Sequence, residues 1–66
     1  MSPRFGAVIR QLRERREMTQ DQLSKRARIT KPYLSQLESG ARKNPSLPVL
    51  KRLARALGVP VTELLE

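Results

Sequence analysis

The segment from Thr19 to Gly40, TQDQLSKRARITKPYLSQLESG, constrains the fold more than any other part of this chain. Thr19 and Thr30 are both favourable N-cap residues, and each precedes a short run with helical spacing of apolar residues. We therefore predict helices over 20–27 and 31–39, joined by a three-residue turn and ended by Gly40, which readily takes a left-handed conformation. Helices this short are marginal alone in water, so both must pack against the rest of the chain.

Three further helices are expected from the spacing of the other apolar residues. The first runs over about 3–16, the fourth over about 47–57 and a short fifth over about 61–65. The first and fourth each carry one apolar stripe, formed by Phe5, Val8, Ile9 and Leu12 and by Leu47, Leu50, Leu53, Ala54 and Leu57. We predict an all-α fold class: a compact bundle of five short helices in a single domain over residues 1–66, in which helices 2 and 3 form a helix-turn-helix.

The residues that enzymes and metal sites most often use are missing. The chain has no Cys and no His, so thiolate and imidazole ligands are absent, and we find no paired inward carboxylates. We expect no enzymatic activity, no cofactor, no metal and no small-molecule ligand. The longest apolar run is the triplet Ala7 to Ile9, too short for a signal peptide or a membrane span. We therefore expect a soluble, cytoplasmic protein with no membrane partner.

The charge of the chain favours a nucleic-acid partner. Fourteen Lys and Arg against six Asp and Glu give a net charge of +8 at pH 7, and the sequence pI is near 11.4. Such a pI is typical of nucleic-acid-binding domains, although ribosomal, membrane-surface and acidic-protein partners share it. Phe5 and Tyr33 are the only aromatic residues, too few for the stacking surfaces that hold unpaired bases. Duplex DNA is therefore favoured over single strands.

Four short motifs are specific when taken together. They are TQ-x-x-L from Thr19, L-S-x-x-E-x-G from Leu34, N-P-S-L from Asn44 and A-x-A-L-G-V-P from Ala54. In this order and at these spacings they resemble the phage-repressor-like helix-turn-helix family, to which lambda repressor, Cro and the Xre-type regulators belong. The resemblance covers nearly the whole chain. It implies sequence-specific binding of double-stranded DNA, with the third helix in the major groove.

The resemblance also implies two sets of residues that contact DNA. Bases would be read by Lys31, Pro32, Ser35 and Gln36. Phosphates would be held at both ends of the third helix, by Gln20, Ser39, Arg42, Lys43 and Asn44. From their own chemistry, and not from the resemblance, Arg28 and Tyr33 are added to this phosphate set. Among the base-reading residues, Gln36 can pair bidentately with adenine and Lys31 can donate to guanine. For Tyr33 a phosphate contact, a thymine methyl contact and simple coverage of the helix surface remain equal alternatives.

One further pair implied by the resemblance is structural. Arg13 of the first helix and Glu38 of the third match a family ion pair that orients the recognition helix. Pairing Glu38 in this way would remove the repulsion between an acid and nearby phosphates. The net contribution of such a partly buried pair to stability need only be small.

The chain departs from the family pattern at four places. Arg28 stands where Gly is usual, so we predict a non-glycine residue in a left-handed conformation, strained by about 1 kcal/mol. Ser24 replaces a small Ala, and its hydroxyl can bond a carbonyl one turn back. Pro32 offers no side-chain hydrogen bond, so its contact with DNA would be apolar, for example with a thymine methyl group. The loop over 41–44 is about one residue longer than usual, which leaves open whether Arg42 or its neighbour holds the phosphate.

The leading functional hypothesis is a transcriptional regulator that binds a palindromic operator as a homodimer. The apolar residues of the fifth helix are the expected dimer interface: Val59, Val61, Leu64 and Leu65. An equal alternative is that they only cover the core. The alternative function is an antitoxin-type or adaptor module, whose main partner is an acidic protein and whose DNA binding is secondary.

Overall fold

The computed structural model of the protein describes residues 4–65. It contains four α-helices that are joined by short connections. The four helices are α1 (Phe5–Arg15), α2 (Gln20–Ala27), α3 (Lys31–Ser39) and α4 (Leu47–Leu57). The molecule measures 24 × 23 × 21 Å along its principal axes. The all-helical class and the assignment of the helix-turn-helix to α2 and α3 are confirmed, while the predicted start of the first helix at residue 3 lies outside the described residues.

Side-chain caps explain where three of the helices begin. Thr19 and Gln22 form a capping box, in which the Gln22 N–H donates to Thr19 Oγ1 at 3.1 Å and the Thr19 N–H donates to Gln22 Oε1 at 2.9 Å. The side-chain oxygens of Thr30 and Ser46 accept from the backbone N–H three residues further on. Each cap satisfies an N–H group that has no partner inside its helix.

The prediction of a fifth α-helix is wrong. Residues Val61–Leu64 form a single turn of 3₁₀-helix. Its hydrogen bonds span three residues, from the Glu63 N–H to the Pro60 carbonyl at 3.0 Å and from the Leu65 N–H to the Thr62 carbonyl at 3.2 Å. A segment of four residues is too short to develop the four-residue spacing of α-helical hydrogen bonds, so the tighter pattern prevails.

This turn lies against the core, which removes Leu64 from the predicted dimer interface. Leu64 has no solvent exposure and therefore cannot contribute to a surface between two protomers. Val59 and Val61 are half-buried and pack against the core. Only Leu65, at 43% exposure, presents a largely open apolar side chain. Coverage of the core is therefore the observed role of Leu64, and the part that Val59, Val61 and Leu65 take in a dimer stays a prediction.

The core takes side chains from every helix. Its fully buried large residues are Ile9, Leu23, Leu34, Leu37, Leu53, Leu57 and Leu64. The helix α2 packs on α4, and α1 packs on α3. Leu47 departs from the stripe predicted for α4, because it is 56% exposed.

The crossing of α1 over α3 depends on Gly6, a buried residue that the sequence analysis did not single out. A Cβ atom at this position would lie 2.7 Å from the Glu38 carbonyl oxygen and would also collide with that of Leu37. Real Cβ contacts are essentially never this short. Glycine therefore allows the two helix backbones to approach each other at the end of α3.

Three helices end in the same way, with a left-handed residue followed by an apolar one. The left-handed residues are Glu17 (φ 54°), Arg28 (φ 57°) and Gly58 (φ 70°). The N–H of the next residue donates to a carbonyl five residues earlier, as from Met18 to Arg13 at 3.1 Å. The apolar residue that follows is buried or half-buried against the core in each case. This is the Schellman motif, here twice without glycine.

Two further features of residues 4–65 bear on function. No helix in this part of the chain has the length and apolar character that crossing a membrane requires. Nor do these residues bring together three His, Cys, Asp or Glu side chains that could hold a metal ion.

Candidate nucleic-acid interface

The turn between α2 and α3 sets the angle of the candidate recognition helix. Arg28 has φ 57° and ψ 45°, which lets the Ile29 N–H donate to the Ser24 carbonyl at 3.0 Å. Ile29 is half-buried and packs against the core. Thr30 then caps α3 by accepting from the Tyr33 N–H at 3.1 Å. The left-handed conformation predicted for Arg28 is confirmed.

Ser24 lies buried in α2, at 3% exposure. Its hydroxyl donates to the Asp21 carbonyl, one turn back, at 2.9 Å. The hydroxyl is thereby satisfied within its own helix, as predicted, and a serine fits where the family pattern has a smaller side chain.

One side of α3 is buried and the opposite side is open. Leu34 and Leu37 are fully buried, and the helix is anchored through them. The residues predicted to read bases are all exposed: Lys31, Pro32, Ser35 and Gln36. Pro32 lies in the first turn, where its missing N–H breaks no helical hydrogen bond. The fold thus places the four predicted residues on the exposed part of one helix.

Glu38 holds α3 to both preceding helices. The Arg13 guanidinium donates to its two carboxylate oxygens, from Nε at 2.7 Å and from Nη2 at 3.1 Å. Arg13 Nη1 also donates to the Met18 carbonyl at 2.8 Å. The two charged side chains are only 12% and 5% exposed. The predicted ion pair is therefore present, with bidentate geometry and little contact with water.

Arg13 keeps its charge over a wide pH range. The pKa of Arg13 is raised above its ordinary value, mainly by the hydrogen bond to Glu38, while desolvation acts in the opposite direction. Because the folded-state pKa is the higher one, the stability that this shift contributes is lost only as pH rises through the strongly alkaline range. Arg13 therefore remains a charged partner for Glu38 at neutral pH.

Gln20 joins the same network. Its Nε2 donates to Glu38 Oε1 at 3.0 Å, a contact between residues 18 positions apart that the sequence analysis did not predict. A primary amide carries two N–H donors, so one remains for a phosphate after the bond to Glu38 is made. The bond also holds the Gln20 side chain at the N-terminus of α2, where the helix dipole favours an anion.

The loop after α3 folds back onto the helix. The Arg42 backbone N–H donates to the Gln36 carbonyl at 3.1 Å, and Arg42 Nε donates to Gln36 Oε1 at 3.1 Å. The Arg42 guanidinium carbon lies 5.0 Å from the centroid of the Tyr33 ring, a cation–π distance. Arg42 therefore contacts two side chains of α3, whereas the sequence suggested only a phosphate partner.

The other residues of this loop that are predicted to contact phosphate differ in whether their side-chain donors already make hydrogen bonds within the protein. The Ser39 hydroxyl donates to the Gln36 carbonyl at 3.1 Å and accepts from the Ala41 N–H at 3.3 Å. A hydroxyl has one donor, so Ser39 reaches a phosphate only by giving up this bond. Within residues 4–65, the exposed Lys43 and Asn44 side chains have no hydrogen-bond partner. Of the loop residues, these two have their donors available.

This geometry is that of a known family. A family model described as helix-turn-helix matches residues 9–64. The chain belongs to this helix-turn-helix family. The resemblance to phage-repressor-like regulators is thereby confirmed.

Three members of the helix-turn-helix family show what the chain is similar to. SlrR, an HTH-type transcriptional regulator of Bacillus subtilis (strain 168), is 38% identical over 62 residues, which cover 94% of this chain and 41% of SlrR. The immunity repressor of Bacillus phage phi105 is 40% identical over 57 residues, covering 86% of this chain and 39% of the repressor. The chain thus spans about two fifths of the length of these curated relatives.

The third is a structure of SinR, the master regulator for biofilm formation, in complex with DNA. It superposes on this chain with a TM-score of 0.91 and 32% sequence identity, covering 94% of this chain and 98% of that one. All three proteins are regulators by name, and none is named as an enzyme.

In this helix-turn-helix domain, a polar groove of about 250 Å³ lies beside the recognition helix. It joins the N-terminus of α2 to the side of α3 and is lined by Arg10, Arg13, Gln20, Ser35, Glu38 and Ser39. Arg10 is the groove residue that the sequence pattern did not mark as functional. Its pairing with Glu14 at 3.2 Å is exposed, so the cation remains accessible at this groove. The position of Arg10 at this groove follows from the packing of α1 on α3. The spacing of apolar residues does not predict that packing.

Proposed function

We propose that this chain is the DNA-binding domain of a transcriptional regulator that acts in the cytoplasm and recognises a specific double-stranded sequence. The proposal depends chiefly on the exposed face of α3, which the Glu38 network holds rigidly beside the N-terminus of α2. The likeness to SinR in complex with DNA supports it. So does the net charge of +8, since phosphate contacts by Lys and Arg supply much of the affinity for duplex DNA.

The dimensions of the recognition helix suit the major groove. A nine-residue helix such as α3 is roughly 14 Å long, and the groove is about 12 Å wide and accepts an α-helix. In this position Gln36 would pair with adenine, Lys31 would donate to guanine, and Pro32 would contact a thymine methyl group. Ser35, one turn along, would donate to or accept from a base edge.

Phosphates would be held on both sides of these base contacts. At one end, Gln20 offers its second amide N–H and the dipole of α2. At the other end, Lys43 and Asn44 have donors without intramolecular partners. Such contacts fix the register of the helix in the groove but do not depend on sequence. Arg28, an exposed residue of the turn, would add a cation to these contacts.

A homodimer on a two-fold site is the expected assembly. Half-sites on the same face of the duplex lie about 34 to 36 Å apart, whereas the longest extent of this protomer is 24 Å. One protomer therefore reads one half-site. A stable dimer buries about 800 Å² per partner, nearly a fifth of the 4368 Å² that this chain exposes. With Leu65 as the main apolar surface near the C-terminal turn, we expect the dimer to form on DNA.

Selection of bound duplexes from a random pool tests this function. We expect one enriched motif with two-fold symmetry and half-site spacing near one helical turn. The selected duplex should then bind at least a thousandfold more tightly than a scrambled one at physiological salt, a typical ratio for specific binding. If no motif is enriched, and if affinity falls steeply with salt on all duplexes alike, the positive charge serves another partner, such as an acidic protein.

A further inference from the structure

Three side chains form a cluster on the exposed part of the recognition helix, here called the Arg42 cluster: Tyr33, Gln36 and Arg42. Arg42 Nε donates to Gln36 Oε1 at 3.1 Å, and its guanidinium lies over the Tyr33 ring at 5.0 Å from the centroid. The backbone is tied as well, because the Arg42 N–H donates to the Gln36 carbonyl at 3.1 Å. Arg42 is thus attached to α3 at three points.

This attachment decides which way the Gln36 amide faces. An exposed glutamine can exchange its oxygen and nitrogen by rotating the terminal amide, and the two arrangements are ordinarily similar in energy. The arginine side chain only donates hydrogen bonds. It can therefore bond to the Gln36 amide only when Oε1 faces it. The amide nitrogen, with its two donors, then faces away from Arg42.

We propose that Arg42 is a positioning residue that sets the Gln36 amide for one base, adenine in preference to guanine. The proposal rests on the proposed function. Adenine offers an acceptor at N7 and a donor at N6, and the amide matches both with Nε2 and Oε1. Because a carbonyl oxygen accepts two hydrogen bonds, Oε1 can keep Arg42 while it accepts from adenine. Guanine places the O6 acceptor opposite this oxygen, and Arg42 opposes the rotation that would relieve the repulsion.

The alternative role for Arg42 is the phosphate contact that the sequence suggested. A phosphate contact depends on charge and not on the planar shape of the side chain, so lysine should largely preserve it. A positioning role requires the Nε–H donor and the flat guanidinium on the tyrosine ring, which lysine lacks. Arg42→Lys therefore separates the two roles.

The experiment has one arm without DNA and one with it. In the free protein, the order parameter of the Gln36 side-chain amide is measured by NMR in the wild type and in Arg42→Lys. In the second arm, both proteins are titrated with the selected duplex and with duplexes in which each A·T pair in turn becomes G·C. Lys43→Ala, which removes a neighbouring cation without a side-chain partner, is the matched control. Thermal melts establish that all variants are folded.

We expect Arg42→Lys to lower the order of the Gln36 amide and to reduce the preference for adenine about fivefold or more at one base pair only. In a Gln36→Ala background the same substitution should leave the preference unchanged. Tyr33→Phe should keep the wild-type preference for adenine, because it keeps the ring face under Arg42, whereas Tyr33→Leu should reduce that preference as Arg42→Lys does. Lys43→Ala should weaken all duplexes alike.

Two results of the DNA titrations would overturn the proposal, and they differ in whether the proposed function survives. If Arg42→Lys keeps the wild-type preference at every base pair, Arg42 contacts phosphate only, and the proposed function stands. If the wild-type protein binds all duplexes equally, both this proposal and the proposed function are wrong. An unchanged Gln36 order parameter in Arg42→Lys also counts against positioning, independently of either DNA result.

Discussion

Glu38 is the residue on which the orientation of the recognition helix depends. It accepts two hydrogen bonds from Arg13 and one from Gln20, so one carboxylate links α1 and α2 to α3. Its charge is satisfied inside the protein, which lets an acid lie close to where phosphates are expected. A single residue thus serves both packing and the electrostatics of the interface.

Removing Arg13 should be costly. Arg13→Ala removes the cation from a carboxylate that is only 5% exposed in the folded protein, and breaking such a pair lowers the free energy of unfolding by about 3 kcal/mol. Arg10→Ala is the matched control, because it removes an arginine of the same helix whose pair with Glu14 is exposed and worth little. Urea denaturation measures both. Equal effects of the two substitutions would mean that Glu38 does not need its partner.

Arg28 and Glu17 allow strain and charge to be separated. Both have left-handed backbones, a conformation that costs a non-glycine residue about 1 kcal/mol. Replacing either with Gly should therefore leave stability unchanged or raise it by up to about 1 kcal/mol, once the flexibility of glycine is counted. Only Arg28→Gly should weaken DNA binding, because it removes a cation. If Glu17→Gly weakens binding equally, the effect comes from the backbone.

At the scale of single residues, the sequence predicted the backbone conformations that neighbouring residues determine. It missed the hydrogen bonds between residues far apart in the chain. The left-handed Arg28 follows from its place after a helix in the family pattern. The contacts from Arg52 Nε to the Ala27 carbonyl, at 2.8 Å, and from Gln20 to Glu38 join residues far apart in the chain. Such contacts depend on how helices pack, and hydrophobic spacing carries no information about them.

Among the elements, the crossing of α1 and α3 tests the packing most directly. Gly6→Ala adds a methyl group that would collide with two backbone carbonyls of α3. We expect a loss of about 1 to 3 kcal/mol, although alanine favours helices by about 1 kcal/mol. Gly40→Ala is the control: nothing lies within 4 Å of the added atom, so only its positive φ opposes the change. A Gly6→Ala protein as stable as the wild type would contradict the close crossing.

Caps made three of the helices predictable, and the shortness of the last segment explains the error. The second, third and fourth helices start after Thr19, Thr30 and Ser46, whose side chains accept the expected hydrogen bonds. The last segment has no side-chain cap and only four residues, and it took the 3₁₀ form. Apolar spacing predicted that this segment contains buried residues but could not show that Leu64 faces the core and not a second protomer.

For the molecule as a whole, assembly is the property most open to test. Leu65→Asp should leave binding to a single half-site unchanged and should weaken binding to the two-fold site, because it removes the main exposed apolar side chain near the C-terminal turn. Titration of duplexes with one and with two half-sites measures both. If Leu65→Asp binds the two-fold duplex as the wild type does, protomers meet through another surface.

The central claim is that α3 reads base sequence while its flanking residues hold phosphates. The most direct measurement compares the affinities of wild type, Gln36→Ala and Lys43→Ala for the selected duplex and for a scrambled one. Gln36→Ala should lose about 1 to 3 kcal/mol on the selected duplex and almost nothing on the scrambled one. Lys43→Ala should weaken both alike and lower the salt dependence by about one unit per protomer. Equal losses on the two duplexes for Gln36→Ala would contradict the claim.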